Sequence, residues 1–382
     1  MRKGVAVVLG LALAGCAAEP VLAPPEELFQ DALFAPPTEP INRADVFALN
    51  DEMRRYVHEE LDARRAAKGL RQALVDAVLS GDLRLEYDST HTRTAAEAFE
   101  ARSGNCLSLV IMTAALAKEL GLHVEYNRAE IPELWSREGN VYFLNGHVNI
   151  TLGKRFFDTR TLRDADDLVT IDFLPREELD RLRVDMLQES TIVAMFMNNR
   201  AAEALVRGRL DDAYWWARAA MRESPSFMAA YNTLGVVYVR RGEPAMAERA
   251  FRRVLAAEQR NTRAWANLAL VLAKQGRGAE AAAAERELAR LEGDAPFYFF
   301  HKGLAAMEAG DYRAARKLFA KEVDRAPDYH EFHFWLALAE LRLGNVEPAR
   351  AELALALENS TTPGDHELYA AKLQRLSLLL KH

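Results

Sequence analysis

Tyr231-Asn232-Thr233-Leu234-Gly235-Val236-Val237-Tyr238, followed by Ala247-Glu248-Arg249-Ala250-Phe251, decides how the second half of this chain folds. Shifting the sequence against itself by 34 residues brings these positions onto one another. Alanine recurs at Ala213, Ala247, Ala281, Ala315 and Ala349, and a small residue stands twelve positions before each, at Ala201, Gly235, Ala269, Gly303 and Ala337. A small residue is required where two antiparallel helices approach closely, and large residues fill the holes between them, so the period has a packing cause.

The set Tyr231, Leu234, Gly235, Tyr238, Ala247 and Phe251 resembles the tetratricopeptide repeat, as does Trp265, Leu268 and Ala269 one unit later. Five repeats are expected over 193–362, with Pro225 and Pro327 stopping the second helices of their units. A capping segment, 363–382, carries an amphipathic helix from Glu367 to Lys381. The resemblance implies an all-α solenoid whose concave groove binds a protein or peptide ligand.

Upstream, Ser103-Gly104-Asn105-Cys106-Leu107-Ser108-Leu109 is a polar turn entering an apolar helix that Gly121 ends. Cys106 stands on the first turn, where unpaired N–H groups and the helix dipole favour thiolate. The same placement also serves plain packing. Tyr142 to Leu152 alternates as a half-buried strand with His147 inside it, and Leu168 to Phe173 reads as a second strand holding Asp172. A thiol, an imidazole to take its proton and a carboxylate to orient the ring are the parts of nucleophilic thiol chemistry.

At Gly104-Asn105-Cys106-Leu107-Ser108-Leu109, His147-Val148-Asn149-Ile150 and Ile171-Asp172-Phe173 the chain resembles the transglutaminase-like (papain-like) superfamily, over roughly Leu83 to Leu182. The resemblance implies an α+β domain, 42–185, with Cys106 as nucleophile, His147 as general base and Asp172 as orienting partner. Val148-Asn149 replaces the usual alanine and tryptophan after the histidine. The gap from His147 to Asp172 is also longer than usual, so Asp158 is a rival third member; it would lie near His147 if Gly153-Lys154 formed a tight hairpin. No glutamine or tryptophan upstream of Cys106 is assignable to an oxyanion hole.

The 382 residues, half of them hydrophobic, suffice for two or three packed domains, and a net charge of −7 argues against nucleic acid as a partner. Residues 1–16 pair Arg2 and Lys3 with an apolar run too short to span a bilayer. Their end, Leu13-Ala14-Gly15-Cys16, resembles the bacterial lipobox, which implies lipidation at Cys16, export and anchoring facing the periplasm. Ala17 favours the outer membrane. Since Cys16 and Cys106 are the two cysteines, Cys106 is left without a disulfide partner, which points to use in an oxidising compartment.

Residues 17–41, with Pro20, Pro24, Pro25, Pro36 and Pro37, read as a semi-rigid tether. Helices are expected over Asn42–Lys68 and Leu70–Leu79. His91 and His123 read as solvated, and Trp135 as a groove wall or a packing residue. His330 and His333 on one helix lack a third metal ligand, and no cofactor is expected. Two functions stand. One is an envelope thiol hydrolase or acyltransferase acting on amide or peptide bonds; the other is a catalytically inactive transglutaminase-like fold serving as a scaffold.

Overall fold

Each 34-residue period folds as two antiparallel helices. The computed structural model describes residues 25–63, 69–79, 83–129, 135–138, 141–144, 147–155, 168–173, 184–291 and 297–379. Residues 1–24, including Leu13-Ala14-Gly15-Cys16, lie outside these, as does Asp158.

The α+β part comes first. It contains α1 (Arg43–Val46), α2 (Asp51–Arg55, continuing as a π-turn through Leu61), α3 (Leu70–Leu79), β1 (Glu86–Tyr87), α4 (Ala95–Ala101) and β2 (Ser103–Gly104). Then follow α5 (Cys106–Glu119), β3 (Leu122–Ala129), β4 (Trp135–Glu138), β5 (Val141–Leu144), β6 (His147–Arg155), β7 (Val169–Ile171) and β8 (Val184–Leu187). The expected single helix over 42–68 is broken at Phe47–Asn50, because the Asn50 side chain caps a new helix by accepting from the Met53 N–H. Every residue of α5 from Cys106 to Ala117 is buried, as an apolar-all-round helix requires. It packs on an antiparallel sheet of strand order β7-β6-β3-β8.

The expected single strand over 142–152 is two strands in different sheets. β5 pairs with β4, and His147 opens β6 rather than sitting inside a strand. Nor is β6 half-buried. Val148, Ile150 and Leu152 are buried on one face and His147, Asn149 and Thr151 on the other. Gly153 and Lys154 run within β6, so the hairpin that would have set Asp158 opposite Asn149 does not form there; Asn149 faces Asn127 in register.

Five helix pairs follow: α6 (Glu189–Val206) with α7 (Leu210–Glu223), α8 (Met228–Arg241) with α9 (Pro244–Ala257), α10 (Thr262–Lys274) with α11 (Gly278–Arg290), α12 (Tyr298–Glu308) with α13 (Tyr312–Arg325), and α14 (His330–Arg342) with α15 (Val346–Glu358). α16 (Pro363–Leu379) closes the stack. Gly208, Gly242, Gly276, Gly310 and Gly344, again a step of 34, all end first helices with φ between 73° and 87°. That left-handed turn costs a Cβ-bearing residue strain, so the sequence repeats glycine there.

The small-residue column is likewise graded by its partner. A Cβ on Gly235 would lie 2.4 Å from the Phe251 ring, and one on Gly303 would lie 2.5 Å from Phe319. In the other three units the residue sixteen positions on is Ala217, Glu285 or Leu353, and alanine stands in the column.

Residues 25–41 are not a free tether. Leu28, Phe29 and Phe34 are buried against the solenoid, and Phe34 stacks on Tyr214 with ring centres 3.9 Å apart. The Tyr238 hydroxyl donates to the Leu28 carbonyl (2.5 Å), Trp215 Nε1 donates to the Ala35 carbonyl (2.6 Å), and Arg200 pairs with Glu39 at 3.0 Å. The prolines set an extended course, while the apolar residues between them anchor it as a strap across α7 and α8. One hydrophobic core joins this strap, the α5 layer and the first three repeats.

Candidate functional site

The turn into α5 is built by its own motif. A Cβ on Gly104 would strike Ser108 Cβ at 2.7 Å, so only glycine lets the chain fold back over Ser108. Asn105 caps α5: its Oδ1 accepts from the Ser108 N–H (2.9 Å) and hydroxyl (2.8 Å), while its Nδ2 donates to Thr92 Oγ1 (2.9 Å). The Thr92 N–H donates in turn to Glu203 Oε1 on α6 (2.7 Å). The position of Cys106 is thereby tied to the first repeat.

Cys106, His147 and Asp172 come together, although the expectation for these residues rested on resemblance. His147 Nε2 donates to Asp172 Oδ2 at 2.6 Å, just beyond the end of β7. Its Nδ1 is buried and has no other hydrogen bond, which leaves it for the Cys106 thiol. Burial pulls the imidazole pKa down. Hydrogen bonds to Asp172 and Cys106, with their charges, outweigh this and raise it from 6.5 to about 9.

Asp172 is held by a polar seam that the sequence reading missed. Asn149 Nδ2 donates to Asp172 Oδ2 (3.3 Å), Asn127 Nδ2 donates to Asn149 Oδ1 (3.1 Å) and to Thr151 Oγ1 (2.9 Å), and Thr151 bonds Thr170 (2.8 Å). Asn149 thereby orders the carboxylate. The alternation of polar residues at 147, 149 and 151 carried the signal, since a face that is polar every second residue yet lies in a central strand must pair within itself.

Tyr87 is the second omission. The short parallel pairing of β1 with β2 sets Tyr87 opposite Gly104, and its side chain lines the same cavity as Cys106. Burial foremost, then the neighbouring Cys106, push the phenol pKa far above its ordinary value, so it keeps its proton.

Cys106 is 7 % exposed and opens on a cavity of about 350 Å³. Tyr87, Cys106 and Arg128 from the α+β part line it together with Asn198, Phe227 and Arg263 from the repeats.

The remaining residues singled out from sequence lie elsewhere. His91 meets Arg207 (2.9 Å) and His123 meets Glu125 (3.1 Å), both toward solvent. His333 bonds Glu352 and the Pro327 carbonyl, and His330 bonds Tyr369, so these rings brace the last repeat. Trp135 lies in β4.

No curated protein matches the chain in sequence. Among solved structures, PilF of Pseudomonas aeruginosa is 22 % identical, with coverage of 50 % of this chain and 86 % of that one at a TM-score of 0.31. A tetratricopeptide-repeat protein of Thermus thermophilus is 19 % identical, covering 48 % and 99 % at 0.32. Yeast Tom70 is 13 % identical, covering 49 % and 40 % at 0.37. The tetratricopeptide-repeat family model matches residues 232–296 and 300–365, where the helix pairs, the turn glycines and the graded small-residue column recur at the same step, so this part of the chain is a tetratricopeptide-repeat array.

Proposed function

We propose that this protein is a thiol hydrolase or acyltransferase of transglutaminase-like type, exported and anchored by lipid at Cys16 to the outer membrane facing the periplasm, with the repeats presenting a protein or peptide to Cys106. The observation that carries the reading is the His147–Asp172 hydrogen bond of 2.6 Å, with the second ring nitrogen left for Cys106. The Cys106 sulfur attacks an amide carbonyl carbon, and His147 holds the thiol proton. The C–N bond then breaks, the departing amine takes that proton, and water or a second amine cleaves the thioester to restore the thiol. A pKa near 9 suits the ring to hold that proton at neutral pH.

A second reading, an inactive scaffold, is favoured by Tyr87, whose side chain shares the cavity with Cys106 and occupies space at the start of α5 where an oxyanion would need open N–H groups. Iodoacetamide labelling of the folded protein, followed by intact mass, separates the two. Cys106 should react without denaturant, His147→Ala should slow it by about tenfold or more, and Asp172→Asn should slow it less. An inert Cys106, or one indifferent to His147→Ala, leaves the scaffold.

A further inference from the structure

The cavity over Cys106 carries two polar groups that have no partner among the described residues. Arg128, half-buried on β3, has no hydrogen bond or ion pair to its guanidinium there. Asp185 faces it in register on β8, exposed and outside ion-pair distance. By contrast Arg93, also near the α5 turn, pairs with Asp88 at 3.0 Å. In the same lining Asn198 Oδ1 is buried with no hydrogen-bond partner among the described residues. Glu258 and Arg263, also in the lining, bring one charge of each sign, so Arg128 leaves the lining with a net positive charge.

A guanidinium stays charged and presents a planar fork of donors matched to a carboxylate, and leaving it half-desolvated without an anion is unfavourable. An unpaired amide oxygen lining the same cavity is matched to an N–H. We infer that the cleft takes an acyl donor that is a peptide with a free carboxylate close to the reacting carbonyl, Arg128 holding the carboxylate and Asn198 accepting a backbone N–H. This rests on Cys106 being the nucleophile and assigns the substrate class of that site.

Two alkylating reagents of nearly equal size test it. Iodoacetate carries a carboxylate and iodoacetamide does not, so the ratio of their rates at Cys106 cancels any change in thiol reactivity common to both. Arg128→Gln should lower that ratio by about threefold or more, and Arg128→Lys, which keeps the charge, should retain most of it. Circular dichroism of each variant should match the wild type. N-acetyl-dialanine with a free C terminus should protect Cys106 from iodoacetamide better than its C-terminal amide does. A ratio that Arg128→Gln leaves unmoved, or equal protection by acid and amide, overturns the carboxylate assignment while Cys106 remains a reactive nucleophile. If neither reagent labels folded wild type, the nucleophile reading itself falls and this inference falls with it.

Discussion

Replacing Gly235 by alanine should destabilise the solenoid, although the same change usually strengthens a helix. Gly235 lies inside α8, where alanine is favoured over glycine by about 1 kcal/mol. Its new Cβ would sit 2.4 Å, 2.7 Å and 2.8 Å from three atoms of the Phe251 ring. Ordinary carbon contacts lie at about 3.5–4.0 Å, so the ring must move by about 1 Å. Phe251 is fully buried. Overpacking of this size belongs at the upper end of the usual range, about 3 kcal/mol, which leaves about 2 kcal/mol of net destabilisation. Urea unfolding followed by far-UV circular dichroism should show a lower midpoint, and Gly303→Ala, facing Phe319 in the same way, should repeat it. Gly278→Ala is the control: no atom lies within 4 Å of its Cβ position, so the midpoint should hold or rise. Trimming the ring in Gly235→Ala/Phe251→Leu should remove most of the alanine's cost, a coupling within reach of a double-mutant cycle. If Gly235→Ala raises the midpoint as Gly278→Ala does, the graded column is not a packing rule and the reasoning is refuted.

Three other outcomes are expected. Because His147 has a folded pKa raised from 6.5 to about 9, its contribution to stability is complete below pH 6.5 and is lost as pH rises through about 9; urea midpoints should fall across that window, and His147→Gln should flatten the fall. Phe34→Ala removes the ring stacked on Tyr214 and should loosen the strap, so that limited proteolysis with N-terminal sequencing finds cuts within residues 26–41 that the wild type resists. In a Gram-negative host, globomycin should cause a heavier precursor to accumulate and a palmitate analogue should label the wild type but not Cys16→Ser; an unlabelled wild type would remove the anchor.

The repeat half was legible residue by residue because each unit packs chiefly on its neighbours. A packing demand that recurs in every unit of the solenoid must recur in the sequence, as alanine at 213, 247, 281, 315 and 349 and, once the turns are seen, as glycine at 208, 242, 276, 310 and 344. The α5 turn was legible for the same reason: Gly104, Asn105 and Ser108 contact one another locally. Elements whose causes lie within a few residues or one period can therefore be read directly from the chain. The other features depend on long-range packing. Asn149 could be recognised as a carboxylate-ordering residue only once β6 was flanked by β3 and β7, Tyr87 as a neighbour of Cys106 only through a two-residue parallel pairing, and the proline-rich segment as a strap only against Tyr214 and Tyr238. Each depends on contacts between residues far apart in the chain, and such pairings leave no period or spacing in the sequence, because their partners are chosen by the packing of whole layers.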